Sequence, residues 1–176
     1  MNLFVTSEDP VECAMVLDDK RVGKMLMEAC QMMSLALKRH DPLAELDVRP
    51  DGLTAGTAYS NHPATLWVGE NIANYIWTWK HANALAGEYF FRFEKHHASG
   101  NRLNVLWTQR DCLPAGVLLP FYNGARNLGL GADFTCYDPP RSYRSYLRFR
   151  WVNDKRPPVW TKRGEPSWAE LSPQCE

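Results

Sequence analysis

The stretch LDDKRVGKMLMEACQMMSLAL, residues 17–37, has the periodicity of one long amphipathic helix. Its apolar residues recur at steps of three and four, which places on one face Val22, Leu26, Ala29, Met33 and Ala36. A polar row about a third of a turn away contains Lys20, Lys24, Glu28 and Gln31. The pattern predicts a core-packed helix whose other side presents two amines and a carboxylate in a row.

The residues before this helix predict a short extended segment followed by a first helix. Residues 2–6 are partly β-branched, and we expect them to be extended. Asp9 precedes a proline and is the expected N-cap of a helix from Pro10 to about Leu17. Asp18 or Asp19 then begins the long helix, so the two helices meet at a cluster of charges.

A second long helix is predicted after a loop at residues 40–59, which has a possible helical turn near Ala44. His62 and Pro63 begin a helix, and the pattern from about Glu70 to Phe93 has the period of a helix. One stripe of this pattern is apolar and consists of Tyr75, Trp79, Ala82, Ala86, Tyr89 and Phe93. The other stripe is polar and consists of Asn74, Thr78, His81, Glu88 and Arg92. We expect the polar stripe to face either water or a shared polar pocket.

The rest of the chain predicts two further helices joined by irregular segments. Residues 103–110 form a short helix, and residues 113–140 are rich in Gly and Pro and form an irregular wrap. The last helix runs from about Arg141 to Val152, and the tail at residues 157–168 is extended and held by its aromatic residues. One face of the last helix has Tyr143, Leu147 and Trp151, and another has Arg141, Arg144 and Arg148. No alternating run is long enough to predict a sheet, so we expect an all-α fold.

Length and composition fit one compact helical domain at residues 1–176. A chain of 176 residues with 45% apolar residues can bury one sizeable core. The N-terminus has no export signal and no segment reaches membrane-spanning length. Five cysteines without a Cys-x-x-Cys pair favour reduced thiols and a cytoplasmic location. We expect a monomer that uses no cofactor and no metal ion.

The distribution of charge is uneven although the formal net charge is zero. Acidic residues are more frequent in the first half of the chain. The segment from 141 to 163 contains one acidic residue, Asp154, and eight basic residues. The basic residues are Arg141, Arg144, Arg148, Arg150, Lys155, Arg156, Lys162 and Arg163. This segment is compatible either with a polyanion-binding face or with a surface helix paired with the acidic first half.

Two segments of the first half resemble a known enzyme family. LDDKRVGK followed by EACQM, and later NHPATLW, resemble the pyrimidine-dimer DNA glycosylases of the phage endonuclease V type. The resemblance implies a compact all-α, phage-borne enzyme that flips an altered pyrimidine out of duplex DNA. An amine would attack C1′, form a Schiff base and cleave the strand by β-elimination. In that enzyme type the amine is an α-amino group paired with a Glu; here Asn2 disfavours removal of the initiator Met, so the amine is a lysine or that of Met1.

The polar row of the first long helix supplies the candidate catalytic residues. Lys24 is the candidate nucleophile, and Glu28, one turn later, would orient it and screen the positive charge of the sugar. Lys20 would lower the pKa of the neighbouring amine. Asp19 is a candidate second carboxylate, although a capping role is the more frequent one for such a residue. The alternative for the whole row is an ordinary solvated helix face.

The candidate DNA contacts lie throughout the chain. They are Arg21, His62, Asn74, Arg92, Lys95, His97, Tyr143, Arg144, Arg148 and Lys155. For His62, capping of the following helix is the alternative to a phosphate contact. Gly23 inside a helix indicates close approach of a phosphate or a neighbouring helix.

Three functions fit these patterns. The first is excision of an altered pyrimidine, the second is transfer of a group onto a hydroxymethylated pyrimidine of phage DNA, and the third is DNA binding without catalysis. The first requires that Lys20, Lys24 and Glu28 share a cavity wide enough for an extruded nucleotide. It also predicts that Arg144 and Arg148 lie near the mouth of that cavity.

Overall fold

The computed structural model of the protein describes residues 1–44, 46 and 59–169. The α-helices are α1 (Pro10–Met15), α2 (Asp19–His40), α3 (Pro63–Gly69), α4 (Ile72–Phe93), α5 (Leu103–Thr108) and α6 (Pro139–Asn153). Short 3-10 helices span Ala98–Arg102, Arg110–Cys112 and Leu128–Leu130. The prediction of an all-α fold is confirmed. Most of the loop predicted at residues 40–59, and Cys175, lie outside the described residues.

Helix α2 is the central helix of the fold and packs against α3 and α4. Its predicted apolar face is confirmed, because the exposed fraction of every member from Val22 to Ala36 is at most 1%. Gly23 faces α4, where an added Cβ would lie 3.1 Å from Cε2 of Tyr89. Of the two explanations predicted for Gly23, the close approach of a neighbouring helix is therefore correct.

The polar stripe of α4 is buried and faces neither water nor an open pocket. Its five members are 0–6% exposed. Asn74 donates to the carbonyl oxygen of Trp67, Nδ1 of His81 donates to that of Pro10, and Arg92 binds two carbonyl oxygens at the end of α1. Buried polar groups need hydrogen-bond partners, and here main-chain carbonyl oxygens of neighbouring segments provide them. The polar stripe of α4 can therefore lie in the interior.

The helix starts were largely predictable. Asp9 accepts a hydrogen bond from the amide of Val11 and caps α1, as predicted. His62 caps α3 by accepting from the amide of Ala64. Asp18 occupies the N-cap position of α2 but makes no capping hydrogen bond there. Its carboxylate instead accepts hydrogen bonds from other side chains.

The segment after α6 returns to the junction of α1 and α2. Asp19 N donates to the carbonyl oxygen of Val159 at 2.8 Å, and Trp160 Nε1 donates to that of Val16 at 3.0 Å. Trp160 and Trp168 pack on Trp151, with ring centroids 5.0 and 5.5 Å away. The aromatic anchoring predicted for this tail is therefore confirmed.

A small β-hairpin was not predicted. Strands β1 (Arg126–Asn127) and β2 (Ala132–Asp133) pair antiparallel, with Arg126 opposite Asp133. Two-residue strands are too short for an alternating pattern to reveal them. Within the described residues, no helix combines the length and hydrophobicity needed to cross a lipid bilayer. The cysteines in these residues, Cys13, Cys30, Cys112 and Cys136, are free thiols.

Candidate active site

A cavity of about 380 Å³ lies where the first turns of α2 meet the N-terminal segment, the start of α3, the hairpin and α6. Its charged lining residues are Lys20, Arg21, Lys24, Glu28, Arg126 and Arg150. Its aromatic lining residues are Phe4, His62, Tyr122 and Tyr146, and Met1, Asn2, Met25, Pro63 and Gly124 complete the wall. The size is within the range of small-molecule sites.

Glu28 is the centre of a cluster of nitrogen atoms at this cavity. Its Oε2 accepts a hydrogen bond from the amide of Asn2 at 2.9 Å and lies 4.0 Å from the amino group of Met1. Its Oε1 lies 3.7 Å from Nζ of Lys24. The Glu28 side chain is 12% exposed and that of Met1 3%, whereas the Lys24 side chain is 57% exposed. The Met1 side chain is thus buried beside Glu28, whereas the Lys24 side chain is mostly in solvent.

The N-terminal segment is bent rather than extended, which corrects the prediction for residues 2–6. Oδ1 of Asn2 accepts from the amides of Leu3 and Phe4, at 2.8 and 3.2 Å. Phe4 has a φ of 48°, which is a strained conformation for a bulky side chain. The turn directs the Phe4 ring against Tyr146, with centroids 6.0 Å apart and planes 18° from parallel. The same turn brings the amino group of Met1 towards Glu28.

His62 combines a capping role with a place in the cavity wall. Its Nδ1 accepts from the amide of Ala64 at 3.2 Å, so the proton of the neutral ring is on Nε2. Burial and the positive charge of the Met1 amino group lower its pKa, against the opposing effect of Glu28. His62 therefore presents a neutral N–H donor to the cavity.

The wall opposite α2 depends on Tyr122 and a glycine. The Tyr122 ring lies so close to Gly124 that an added Cβ there would be 2.7 Å from Cε1 of the tyrosine. The ring also meets the edge of His62, with centroids 6.2 Å apart. Gly124 N donates to the hydroxyl of Tyr143 at 2.9 Å, and that hydroxyl donates to the carbonyl oxygen of Tyr122. These contacts fix an aromatic surface beside the Glu28 cluster.

A network of ion pairs holds several lining residues of the cavity in place. Arg21 binds Asp18 at 2.7 Å and Asp154 at 2.8 Å, and its side chain is only 5% exposed. Lys20 pairs with Asp154 at 3.3 Å. Burial would raise the pKa of Asp154, but the hydrogen bonds and charges of Arg21 and Lys20 outweigh it and lower that pKa. Arg150 also pairs with Asp154 at 3.4 Å, so this carboxylate holds three basic side chains at the cavity.

The lining is predominantly cationic. Among the described residues that line the cavity, five are Lys or Arg and one, Glu28, is acidic. Such a concave cationic surface raises the local concentration of polyanions. In the described part of the chain, no group of three or more His, Cys, Asp or Glu side chains is arranged to hold a metal ion.

The structure places several of the predicted site residues together. Lys20, Lys24 and Glu28 line one cavity, and Arg21 and His62 line it with them. Asp19 does not belong to this group. Its carboxylate accepts hydrogen bonds from Thr161 and lies 3.2 Å from Arg92, which corrects the prediction of a catalytic role.

Three of the predicted DNA contacts are interior residues. Asn74 and Tyr143 are 0% exposed and Arg92 is 2% exposed. Asn74 holds the Trp67 carbonyl and the Leu119 amide, and Tyr143 holds the segment at Gly124. Side chains that are buried and fully engaged in internal hydrogen bonds present no surface to DNA. These three predictions are therefore corrected.

The other predicted contacts lie away from the cavity. Lys95 and Lys155 are exposed. His97 is half-buried, packs against Tyr89 and accepts from the amide of Ser99, and burial lowers its pKa. Arg144 donates to the carbonyl oxygen of Thr6, and Arg148 lines a separate small cavity beside Trp151 and Pro158. The arginine of α6 that lines the main cavity is Arg150, not Arg144 or Arg148.

The sequence analysis missed several lining residues. They are Asn2, Phe4, Tyr122, Arg126, Tyr146 and Arg150. Tyr146 and Arg150 are four residues apart on α6, and the tyrosine hydroxyl accepts from the arginine at 3.2 Å. Because residues four apart on a helix are neighbours, this spacing could have predicted the pair. Tyr122 lies in irregular chain and Arg126 in a two-residue strand, and neither segment shows periodicity.

Comparison with known proteins identifies the family of the first half of the fold. Searches of curated proteins and of solved structures found no significant match. The family described as pyrimidine dimer DNA glycosylase matches residues 1–99, more than half of the 176 residues. The matched segment contains Met1, Lys24, Glu28 and His62, whereas the hairpin and α6 lie beyond it. The chain therefore belongs to the pyrimidine dimer DNA glycosylase family, whose activity is excision of a base from DNA.

Proposed function

We propose that this protein excises an altered pyrimidine from DNA at the Glu28 cavity, through an imine intermediate that also permits strand cleavage. The proposal depends on one observation. Inside a cationic cavity, the α-amino group of Met1 lies 4.0 Å from the largely buried carboxylate of Glu28. The pairing of an amine nucleophile with a carboxylate is the arrangement that attack at C1′ requires. Membership of a DNA glycosylase family supports the same chemistry.

The α-amino group is the preferred nucleophile over Lys24. As classes, α-amino groups have pKa values near 8 and lysine amines near 10.4, so about two hundredfold more of an α-amine is unprotonated at neutral pH. The side chain of Met1 is also anchored, because the hydroxyl of Thr65 donates to its Sδ at 3.7 Å. Were Met1 removed, the new amino group would be the nitrogen of Asn2, which is already 2.9 Å from Glu28. Either form of the N-terminus brings an α-amine to this carboxylate.

The reaction has three steps, and Glu28 moves a proton in the second. In the first step the amine nitrogen bonds to C1′ while the C1′–N1 bond breaks, and the pyrimidine leaves as an anion that takes a proton from water. In the second step Glu28 takes a proton from the attached nitrogen and passes it to O4′ as the C1′–O4′ bond breaks, which leaves a protonated imine at C1′. Removal of a proton from C2′ then breaks the C3′–O bond, and water hydrolyses the imine to release the enzyme.

The remaining lining residues suit an extruded nucleotide. The rings of Tyr122 and Tyr146 offer apolar faces to a base, and the Nε2–H of His62 can donate to a carbonyl oxygen of the departing pyrimidine. Lys20 and Arg126 are available for the flanking phosphates. A neutral His62 adds a donor without adding a charge that would repel the positively charged transition state.

Borohydride trapping tests the proposal. The protein is incubated with duplexes that contain a pyrimidine dimer, a modified pyrimidine or an abasic site, and sodium borohydride reduces any imine to a stable adduct. We expect an adduct on at least one duplex and expect peptide mapping to locate it on the N-terminal residue. Glu28→Gln should lower the trapping rate about a hundredfold or more, as loss of a catalytic proton acceptor does.

Matched variants separate the candidate amines. Acetylation of the N-terminus should abolish trapping, whereas Lys24→Ala should retain it. Lys80→Ala, which removes an exposed lysine on α4, is the control for loss of a positive charge. An adduct on Lys24 would refute the choice of amine. Salt-sensitive DNA binding without any adduct or released base, or a modified base on intact strands, would refute excision itself.

A further inference from the structure

The tip of the β-hairpin exposes two leucines. Leu128 is 71% exposed and Leu130 is 57% exposed. They lie in the 3-10 turn between β1 and β2, which Gly131 closes with a φ of 66°. Two large apolar side chains on one short turn are an unfavourable surface feature unless they meet another molecule.

The hairpin is firmly attached to the body of the protein at its base. Phe134 N donates to the carbonyl oxygen of Ala125 at 2.9 Å, and Ala125 and Ala132 are 0% and 8% exposed. The Phe134 ring packs on Phe149, with centroids 5.8 Å apart. A rigid base with an apolar tip holds the two leucines at a defined position.

That position is at the edge of the candidate active site. Gly124 and Arg126 line the cavity, and Leu128 follows Arg126 by two residues. Two extended residues span about 7 Å, roughly two base steps of DNA. The leucines therefore lie within reach of the base stack from which a nucleotide would enter the cavity.

The surroundings favour DNA over protein as the molecule that meets the tip. Arg126 at the base of the hairpin is exposed, and Lys20 and Lys24 across the cavity are 60% and 57% exposed. An apolar tip flanked by cations complements a base stack flanked by phosphates. Proteins that kink or open duplex DNA commonly insert apolar side chains between base steps.

Resting on the proposed function, we propose that Leu128 and Leu130 form a wedge that enters the duplex and fills the space left by the extruded nucleotide. Arg126 binds the adjacent phosphate and sets the depth of insertion. The wedge lowers the cost of unstacking, which every base-flipping enzyme must meet. Single-stranded substrates need no wedge, because their bases are already accessible.

The test compares Leu128→Ala/Leu130→Ala with the matched control Val117→Ala/Leu118→Ala, which removes exposed apolar side chains from a loop outside the cavity lining. One readout is the fluorescence of 2-aminopurine beside the target in a duplex. The other is borohydride trapping on duplex and on single-stranded abasic DNA. The wedge variant should lose most of the fluorescence rise and lose about tenfold or more of duplex trapping. Its single-strand trapping and melting temperature should match those of the control.

The outcomes distinguish the wedge from the proposed chemistry. Equal losses on duplex and single-stranded DNA, or no loss on either, would overturn the wedge and leave excision standing. A fluorescence rise that depends on the two leucines, without trapping or base release on any DNA, would support the wedge and overturn excision. Absence of both signals in the unaltered protein would overturn both proposals.

Discussion

Replacing Arg92 by Met tests whether this residue is structural or binds DNA. The side chain is 0% exposed; its Nη1 donates to the carbonyl oxygen of Leu17 at 2.7 Å, and its Nη2 donates to that of Met15 at 2.9 Å. It also pairs with Glu88 and Asp19, each at 3.2 Å. Methionine fills much of the same volume but leaves two carbonyls and two carboxylates without this partner.

The expected cost follows from burial. Breaking a buried ion pair from one side costs about 3 to 5 kcal/mol of the free energy of unfolding. For a chain of this size that corresponds to a melting temperature about 6 to 20 °C lower. Arg163→Met is the matched control, since Arg163 pairs with the same Glu88 from a side chain that is 31% exposed. We expect that control to cost about 1 kcal/mol or less.

Urea unfolding followed by tryptophan fluorescence measures both variants. At a temperature where Arg92→Met is folded, its affinity for duplex DNA and the salt dependence of that affinity should equal those of the unaltered protein. A DNA-binding arginine would behave differently, because its loss reduces the slope of log K against log salt by about 1. Such a reduced slope, with a stability loss below about 1 kcal/mol, would refute the interior role of Arg92.

Two further predictions concern stability. Burial lowers the pKa of His81 to about 4, below its ordinary value of 6.5, so its contribution to stability is complete above pH 6.5 and is lost as the pH falls towards 4. Between pH 7 and 4.5 the unaltered protein should therefore lose about 2 to 3 kcal/mol more than His81→Phe in urea unfolding, and equal losses would contradict this. Gly87→Ala should raise the free energy of unfolding by about 0.5 to 1 kcal/mol, because an added Cβ there meets nothing within 4 Å. Gly23→Ala should gain less, since its Cβ would lie 3.1 Å from Tyr89, and thermal unfolding that ranks Gly23→Ala above Gly87→Ala would contradict the packing.

Periodicity predicted the helices well but not which face of α4 is interior. The apolar face of α2, from Val22 to Ala36, was correct because an unbroken apolar stripe has one stable environment. On α4 both stripes pack inside, and the more polar one is the more completely buried. Asn74 and Arg92 are satisfied by carbonyl oxygens of segments distant in the chain. No local sequence pattern predicts such distant partners.

The candidate site was predictable mainly where it lies on α2. Lys24 and Glu28 are one turn apart, so their proximity followed from helix geometry. The prediction that Arg144 and Arg148 lie near the cavity was wrong, because the sequence did not show which arginines of α6 face it. The packing of Tyr146 on Phe4 places Arg150 at the cavity instead. That packing depends on the bent N-terminal segment, which the sequence pattern did not reveal.

The return of the tail to the α1–α2 junction has a consequence for synthesis of the protein. Thr161 donates to Asp19 across a separation of 142 residues, so the first turn of α2 acquires these partners only after nearly the whole chain has left the ribosome. Contacts between such distant residues form slowly. We expect the α1–α2 junction of the nascent chain to lack these partners for most of translation. A premature stop codon just after α6 should therefore yield an aggregation-prone product, even though α1 to α6 have all been made.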